Sequence, residues 1–143
     1  MKTRAALLVI WVASVLLAVV IVEAYFLRTT REGVPFLLSK DRVSVYEALA
    51  LIYGANLTVI LAASFAKPFP RLSDPRRTTL VDVLALVLTL TYNLILLYLI
   101  AAGHFTQFDP IATILSRVKV IAGTLTFLLA PINAYYFGIN TKV

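Results

Sequence analysis

The sequence predicts an all-α integral membrane protein in which four transmembrane helices form an antiparallel bundle within a single domain. Four apolar stretches, at about 5–27, 45–66, 80–102 and 118–139, each reach the roughly 20 residues that a helix needs to cross about 30 Å of hydrocarbon. Charged residues make up only 14% of the 143 residues, against about 25% in soluble domains, and the mean hydropathy is +0.92. Such segments must be helical in lipid, because their backbone groups find no other hydrogen-bond partners there.

The first span follows a short basic start, Met1 to Arg4, as a secretory signal would. However, its apolar run from Ala5 to Val22 is longer than the 7–15 residues typical of a signal core, and no small-x-small cleavage site follows. We therefore expect it to be retained as the first transmembrane helix.

Capping patterns mark the ends of the second and third helices. Ser44 and Glu47 have the spacing of a capping box, so the second helix is expected to begin at Ser44 and to end before Pro68. The run from Thr79 to Asp82 repeats the capping pattern, and the third helix is expected to begin there and to break at Gly103.

The fourth helix is expected to begin before its apolar part. Asp109 followed by Pro110 resembles an N-cap with proline at the first helical position, which predicts a helix over 110–138. Pro131 is expected to kink this helix. The short connections predict that successive helices are antiparallel neighbours.

The net charge of +6 follows from basic residues that are spread over the N-terminus and every loop instead of forming one block. This pattern is typical of membrane topology, and no nucleic acid is expected as a partner. Lysine and arginine number seven on the side of the two termini and six on the other side. The positive-inside rule then places both termini in the cytoplasm, with the chain multi-pass in the cell (plasma) membrane.

Two predicted helices carry a small residue at every fourth position, a pattern that lets helix backbones approach closely in membranes. We expect both stripes to pack against protein instead of lipid. We call them the α2 ladder and the α4 ladder; they comprise Ala50, Gly54, Thr58, Ala62 and Ala66, and Ala122, Thr126, Ala130, Ala134 and Gly138.

Four polar residues within the spans form a candidate polar path: Glu23, Asn56, Asn93 and Asn133. Polar groups inside membranes often mark transport pathways. The alternative is that Glu23 pairs with Arg28 or a neighbouring chain at the headgroup level, and that the asparagines hydrogen-bond across helices.

Catalysis by this chain is not expected, and neither is a cofactor or a metal. The sequence has no cysteine and one histidine, His104, and it lacks the GxSxG, HExxH, P-loop and GxGxxG patterns. The remaining polar residues are scattered over different helix ends, whereas an active site needs convergent groups in one pocket.

These observations favour a non-catalytic small polytopic subunit of a larger membrane protein complex, with a respiratory or other energy-transducing assembly as the expected class. It would pack against the catalytic subunits and stabilise them, and its partners would be these and other integral membrane subunits and lipids. The alternative is a homo-oligomeric small ion channel or transporter, in which case the polar residues should converge on one cavity. A third hypothesis is an adaptor in lipid or envelope assembly, with lipid bound at the basic loop from Lys67 to Arg77.

Overall fold

The computed structural model describes residues 2–27, 42–65, 75–105 and 111–137, and each of these four ranges is an α-helix. The helices are α1 (Lys2–Leu27), α2 (Arg42–Phe65), α3 (Pro75–Phe105) and α4 (Ile111–Phe137). The prediction of an all-helical fold with four helices is confirmed for the described part of the chain.

Each helix contains a segment that is long and apolar enough to cross a membrane. By length and composition these candidate spans are Thr3–Leu27, Arg42–Ala63, Leu80–Ala102 and Thr113–Phe137. Large apolar side chains also cover the outside of the bundle. Examples are Leu16, Val20, Leu94 and Phe127, each more than half exposed. Helices that are apolar all round are typical of membrane spans.

Two helix starts differ from the expectations. α2 begins at Arg42, so Ser44 lies inside its first turn instead of capping it. α3 begins at Pro75 and runs through Gly103 to Phe105, so Thr79 does not cap it either. Proline suits the first helical position because its missing N–H would be unpaired there anyway.

The helices do not all pack in chain order. α3 packs against α1 and α4, and α2 packs against α4 and, less extensively, against α1. Within the described residues α2 and α3 touch only slightly, so the expectation that successive helices are neighbours is wrong for this pair. The connecting residues 66–74 are long enough to cross the bundle, since nine residues can span about 30 Å.

Contacts at one end of the bundle involve all four helices. The Arg4 guanidinium of α1 donates to the backbone oxygen of Ala63 near the end of α2. It also lies over the ring of Phe137, the last residue of α4, at 5.5 Å from the ring centroid. Tyr136 donates its hydroxyl to the carboxylate of Asp82 on α3. We call this the Arg4 end.

The opposite end is defined by residues from the last turns of α1. The Tyr25 hydroxyl donates to the backbone oxygen of Ile100 on α3 at 2.9 Å. Glu23 accepts from Arg42 at the start of α2 at 3.0 Å. We call this the Glu23 end.

Large side chains fill the centre of the bundle. Residues from all four helices have 2% or less of their surface exposed, so bulky groups make the contacts between helices. The largest of them are Trp11, Tyr25, Tyr53 and Phe137, followed by Leu7, Ile60, Leu96, Ile100, Leu115 and Leu129.

Candidate functional site

Glu23 lies at the end of the bundle, where two groups from α2 bind its carboxylate. Arg42 forms an ion pair with one oxygen at 3.0 Å, with 48% of the arginine side chain and 37% of the glutamate side chain exposed. The Tyr46 hydroxyl donates to the other oxygen. Arg28, its expected partner, lies outside the described residues. Glu23 therefore links α1 to α2 at the bundle end and does not reach the interior.

Asn56 and Asn133 bind each other inside the bundle. Asn133 Nδ2 donates to Asn56 Oδ1 at 2.7 Å, which joins α4 to α2. Both residues are buried: Asn56 is 8% exposed and Asn133 is 6% exposed. This is the interhelical hydrogen bond that membrane helices commonly use to associate.

Asn93 lies apart from that pair in its hydrogen bonding. Its Nδ2 donates to the backbone oxygen of Thr89, one turn earlier on α3, at 2.9 Å. Among the described residues, its Oδ1 has no hydrogen-bond partner although it is buried. The four residues of the candidate polar path thus fall into three separate hydrogen-bond environments in the described structure: Glu23 at the bundle end, the Asn56–Asn133 pair, and Asn93.

An aromatic cluster that the sequence pattern did not predict joins α1 to α2 and α3. The Trp11 ring meets the Tyr53 ring edge-on at 6.4 Å and the Tyr92 ring at 5.7 Å. Trp11 therefore brings α1 into contact with aromatic residues of both α2 and α3. Thr89, Tyr92 and Asn93 have the spacing i, i+3 and i+4, which places them on one face of α3. This spacing was the sequence pattern from which a polar and aromatic face on α3 could have been predicted.

Four polar atoms on α1, α2 and α3 are buried without a hydrogen-bond partner in the part of the chain that the structure describes. They are Trp11 Nε1, Tyr53 Oη, Thr89 Oγ1 and Asn93 Oδ1. We call these four residues the mid-bundle polar cluster. A buried polar group left unpaired costs about 1–3 kcal/mol. Native proteins bind such groups with protein atoms or ordered water in the large majority of cases.

Other buried or half-buried polar groups do find partners in their surroundings. Ser14 donates to the backbone oxygen of Ile10 at 2.7 Å, and Thr126 donates to that of Ala122 at 2.7 Å. The Tyr92 hydroxyl also faces the Ala122 oxygen, at a longer 3.4 Å. The mid-bundle polar cluster therefore differs from the polar groups around it.

The α2 ladder lies on the outer side of the bundle. Ala50, Thr58 and Ala62 are exposed and Gly54 is half-buried. A Cβ added to Gly54 would meet nothing within 4 Å. Ala66 lies outside the described residues. The internal packing of the described chain therefore does not require a small residue at position 54.

The α4 ladder passes from the inside of the bundle to the outside. Ala122 is buried and Thr126 half-buried, whereas Ala130 and Ala134 are exposed. Gly138 lies outside the described residues. Only the first part of this ladder packs within the chain.

Two apolar grooves lie between neighbouring helices. The groove between α1 and α2 has a volume of about 210 Å³ and is lined by Ala18, Ala50, Tyr53 and Gly54, among others. The groove between α3 and α4 has about 240 Å³, with Ala85 and Pro131 in its walls. The residues of the candidate polar path line neither of these two grooves.

The described residues contain no group of three or more histidine, cysteine, aspartate or glutamate side chains that could hold a metal ion. The chain matches no protein-family model, no curated protein and no solved structure with which it was compared.

Proposed function

We propose that the chain is a non-catalytic small polytopic subunit of a larger membrane complex, which packs against other integral membrane subunits and stabilises them. The observation that carries this proposal is the outward position of the α2 ladder. Small residues in membrane helices serve close approach between backbones. Here Ala50, Thr58 and Ala62 are exposed at the outer surface of the bundle, and Ala50 and Gly54 border the open groove between α1 and α2.

The interior of the bundle gives no reason for these residues to be small. Bulky side chains such as Trp11, Tyr53 and Ile60 fill the core, and the space beside Gly54 is open. A transmembrane helix of another subunit would fit against such a face, because the short side chains allow its backbone to come close.

In this proposal the four helices cross the cell membrane as an antiparallel bundle with both termini in the cytoplasm. Contacts at the two ends support the alternating direction. Arg4, near the start of α1, contacts Ala63 near the end of α2, and Glu23, near the end of α1, contacts Arg42 at the start of α2. The exposed apolar side chains would face lipid or partner subunits.

The polar groups support a non-catalytic role. Glu23 is bound by Arg42 and Tyr46 at the bundle end, and Asn56 is bound by Asn133. Groups that are engaged in helix packing are not available as a nucleophile or a base. They are also not gathered in one pocket, as catalysis would require.

One observation favours the alternative, a homo-oligomeric channel or transporter. The mid-bundle polar cluster carries polar atoms without partners among the described residues, and polar groups at membrane depth are frequent in transport pathways. The experiment below separates the two functions.

Native mass spectrometry of the tagged chain, extracted from its own membrane in mild detergent, tests the proposal. Gly54→Leu and Thr58→Leu add bulk to the α2 ladder, whereas Ala13→Leu adds it to an exposed position on α1. We expect stoichiometric co-release with larger, different chains from the wild type and from Ala13→Leu, and its loss from the two ladder variants.

Other results would contradict the proposal. If the mass spectra show a homo-oligomer without other chains, the subunit proposal is rejected in favour of the channel hypothesis. Liposome flux assays on Asn56 and Asn93 variants would then test that hypothesis. Partners that stay bound in both ladder variants would reject the α2 ladder as the interface. Thermal unfolding of each variant checks that lost partners do not reflect a misfolded chain.

A further inference from the structure

The mid-bundle polar cluster lies well inside the bundle on three helices. At 1.5 Å rise per residue, Trp11 is about 10 Å along α1 from Arg4, and Tyr53 is about 15 Å along α2 from Ala63. Arg4 and Ala63 are in contact at the Arg4 end. Since α2 has 24 residues and a length of about 36 Å, Trp11 and Tyr53 lie roughly a third to a half of the way along the bundle.

The four polar atoms differ in what they can bind. Trp11 Nε1 is a donor only, Asn93 Oδ1 is an acceptor only, and the two hydroxyl groups can do both. The orientation of the Asn93 amide follows from its contact at 2.9 Å with the backbone oxygen of Thr89. That oxygen can only accept, so Nδ2 faces it and Oδ1 faces elsewhere.

Burial excludes bulk solvent and lipid headgroups as partners for these atoms. Trp11 and Thr89 are 0% exposed, Asn93 is 1% exposed and Tyr53 is 2% exposed. Within the described residues none of the four atoms has a hydrogen-bond partner. A molecule that binds here must therefore reside inside the bundle.

We propose that ordered water molecules are bound inside the bundle by the mid-bundle polar cluster. The Trp11 N–H needs an acceptor, and Asn93 Oδ1 needs a donor. A metal cation cannot accept from the indole, an anion would be repelled by the amide oxygen, and hydrocarbon satisfies neither group. Water both donates and accepts, and buried waters typically bind two to four polar groups of this kind.

This inference concerns the inside of one chain and does not rest on the proposed subunit role. A subunit and a channel could each contain such a site, so the two experiments succeed or fail separately. The hydrated site would lie at the depth where the surrounding membrane contains no water.

Trp11 is the single tryptophan of the chain, so its indole N–H can be observed without overlap. The full chain, labelled with ¹⁵N-tryptophan, is placed in small nanodiscs of deuterated lipid. We expect cross-peaks between the indole proton and water that have opposite signs in NOE and ROE spectra, as direct contact with bound water requires. Cross-peaks of the same sign, or none, would overturn the proposal.

Two hydroxyl variants exclude a relayed signal. Tyr53→Phe and Thr89→Val each remove one hydroxyl whose proton could exchange with water and carry the signal to Trp11. The water cross-peak is expected to persist in each single variant. Its complete loss in either one, with the fold retained, would mean that the signal depends on that hydroxyl and not on Trp11 and Asn93, and would overturn the proposed site.

The acceptor is tested by a matched pair of substitutions on α3. Asn93→Leu removes Oδ1, whereas Thr91→Leu changes an exposed polar residue two positions away. We expect loss of the cross-peak in the first variant and no change in the second. An unchanged cross-peak in Asn93→Leu would remove Asn93 from the site and overturn the assignment.

Discussion

Replacing one asparagine of the Asn56–Asn133 pair is expected to destabilise the bundle by about 1–3 kcal/mol. The two amides are joined at 2.7 Å and are only 8% and 6% exposed. In Asn133→Leu the Oδ1 of Asn56 loses its donor while it remains buried. The cost therefore includes both the lost bond and the unpaired group that is left behind.

A double-mutant cycle separates these two terms. If each single change to leucine costs about 1–3 kcal/mol, the double variant should cost less than the sum, because no unpaired amide remains. The difference, which is the coupling energy, is expected at about 0.6 kcal/mol, the average for hydrogen bonds between membrane helices, and at no more than about 1.7 kcal/mol, the largest value for such bonds.

The assay is reversible unfolding in mixed micelles, followed by helical circular dichroism. As a control, Asn133→Leu is combined with Thr91→Leu, an exposed site on α3. That control cycle should be additive within about 0.3–0.5 kcal/mol. An additive cycle for Asn56 and Asn133 as well would refute the reasoning, because it would mean that the hydrogen bond does not contribute to the stability of the bundle.

Three further predictions use the same unfolding assay. Glu23→Gln should cost only about 0.2–1 kcal/mol, and less at high salt, because more than a third of each side chain in the ion pair with Arg42 is exposed; a larger, salt-independent loss would contradict this. Trp11→Ala should cost about 3–5 kcal/mol because the ring is fully buried, and a loss below 1 kcal/mol would indicate that the ring is not in the core. Gly54→Ala should leave the isolated chain as stable or up to about 1 kcal/mol more stable, because an added Cβ meets nothing within 4 Å; destabilisation would show a close contact there.

The four helices were predictable because lipid permits few backbone structures. A long apolar segment satisfies its own backbone groups only as a helix, whatever its neighbours are. The helix starts were less predictable, because capping patterns are short and occur inside helices as well. Ser44 and Thr79 fit the pattern, yet α3 begins at Pro75, which follows an aspartate just as Pro110 does.

The partners of the buried polar groups were not predictable from the sequence. A buried asparagine requires a hydrogen bond, but the sequence does not say which residue supplies it. Asn56 and Asn133 are 77 positions apart, and they meet because α2 packs against α4. Chain order favoured contacts between successive helices instead. Trp11 likewise meets Tyr92 only because α1 packs against α3.

The different positions of the two ladders follow from helix geometry. Four residues turn a helix by about 400°, so each step of a ladder moves about 40° around the axis. Between Ala122 and Ala134 the α4 ladder turns by about 120°, which is enough to pass from a buried position to an exposed one. The α2 ladder turns equally far between Ala50 and Ala62, but both of these residues are exposed.

A stripe that drifts in this way cannot follow a partner helix that runs parallel to α2 along its whole length. It matches a helix that crosses α2 at an angle, with close contact over one or two turns. Right-handed crossings of about −40° are common for small-residue stripes of this kind. The partner in the proposed complex should therefore cross near Gly54 and Thr58, at the centre of the described α2 ladder, where substitution by leucine should weaken the complex more than at Ala50 or Ala62.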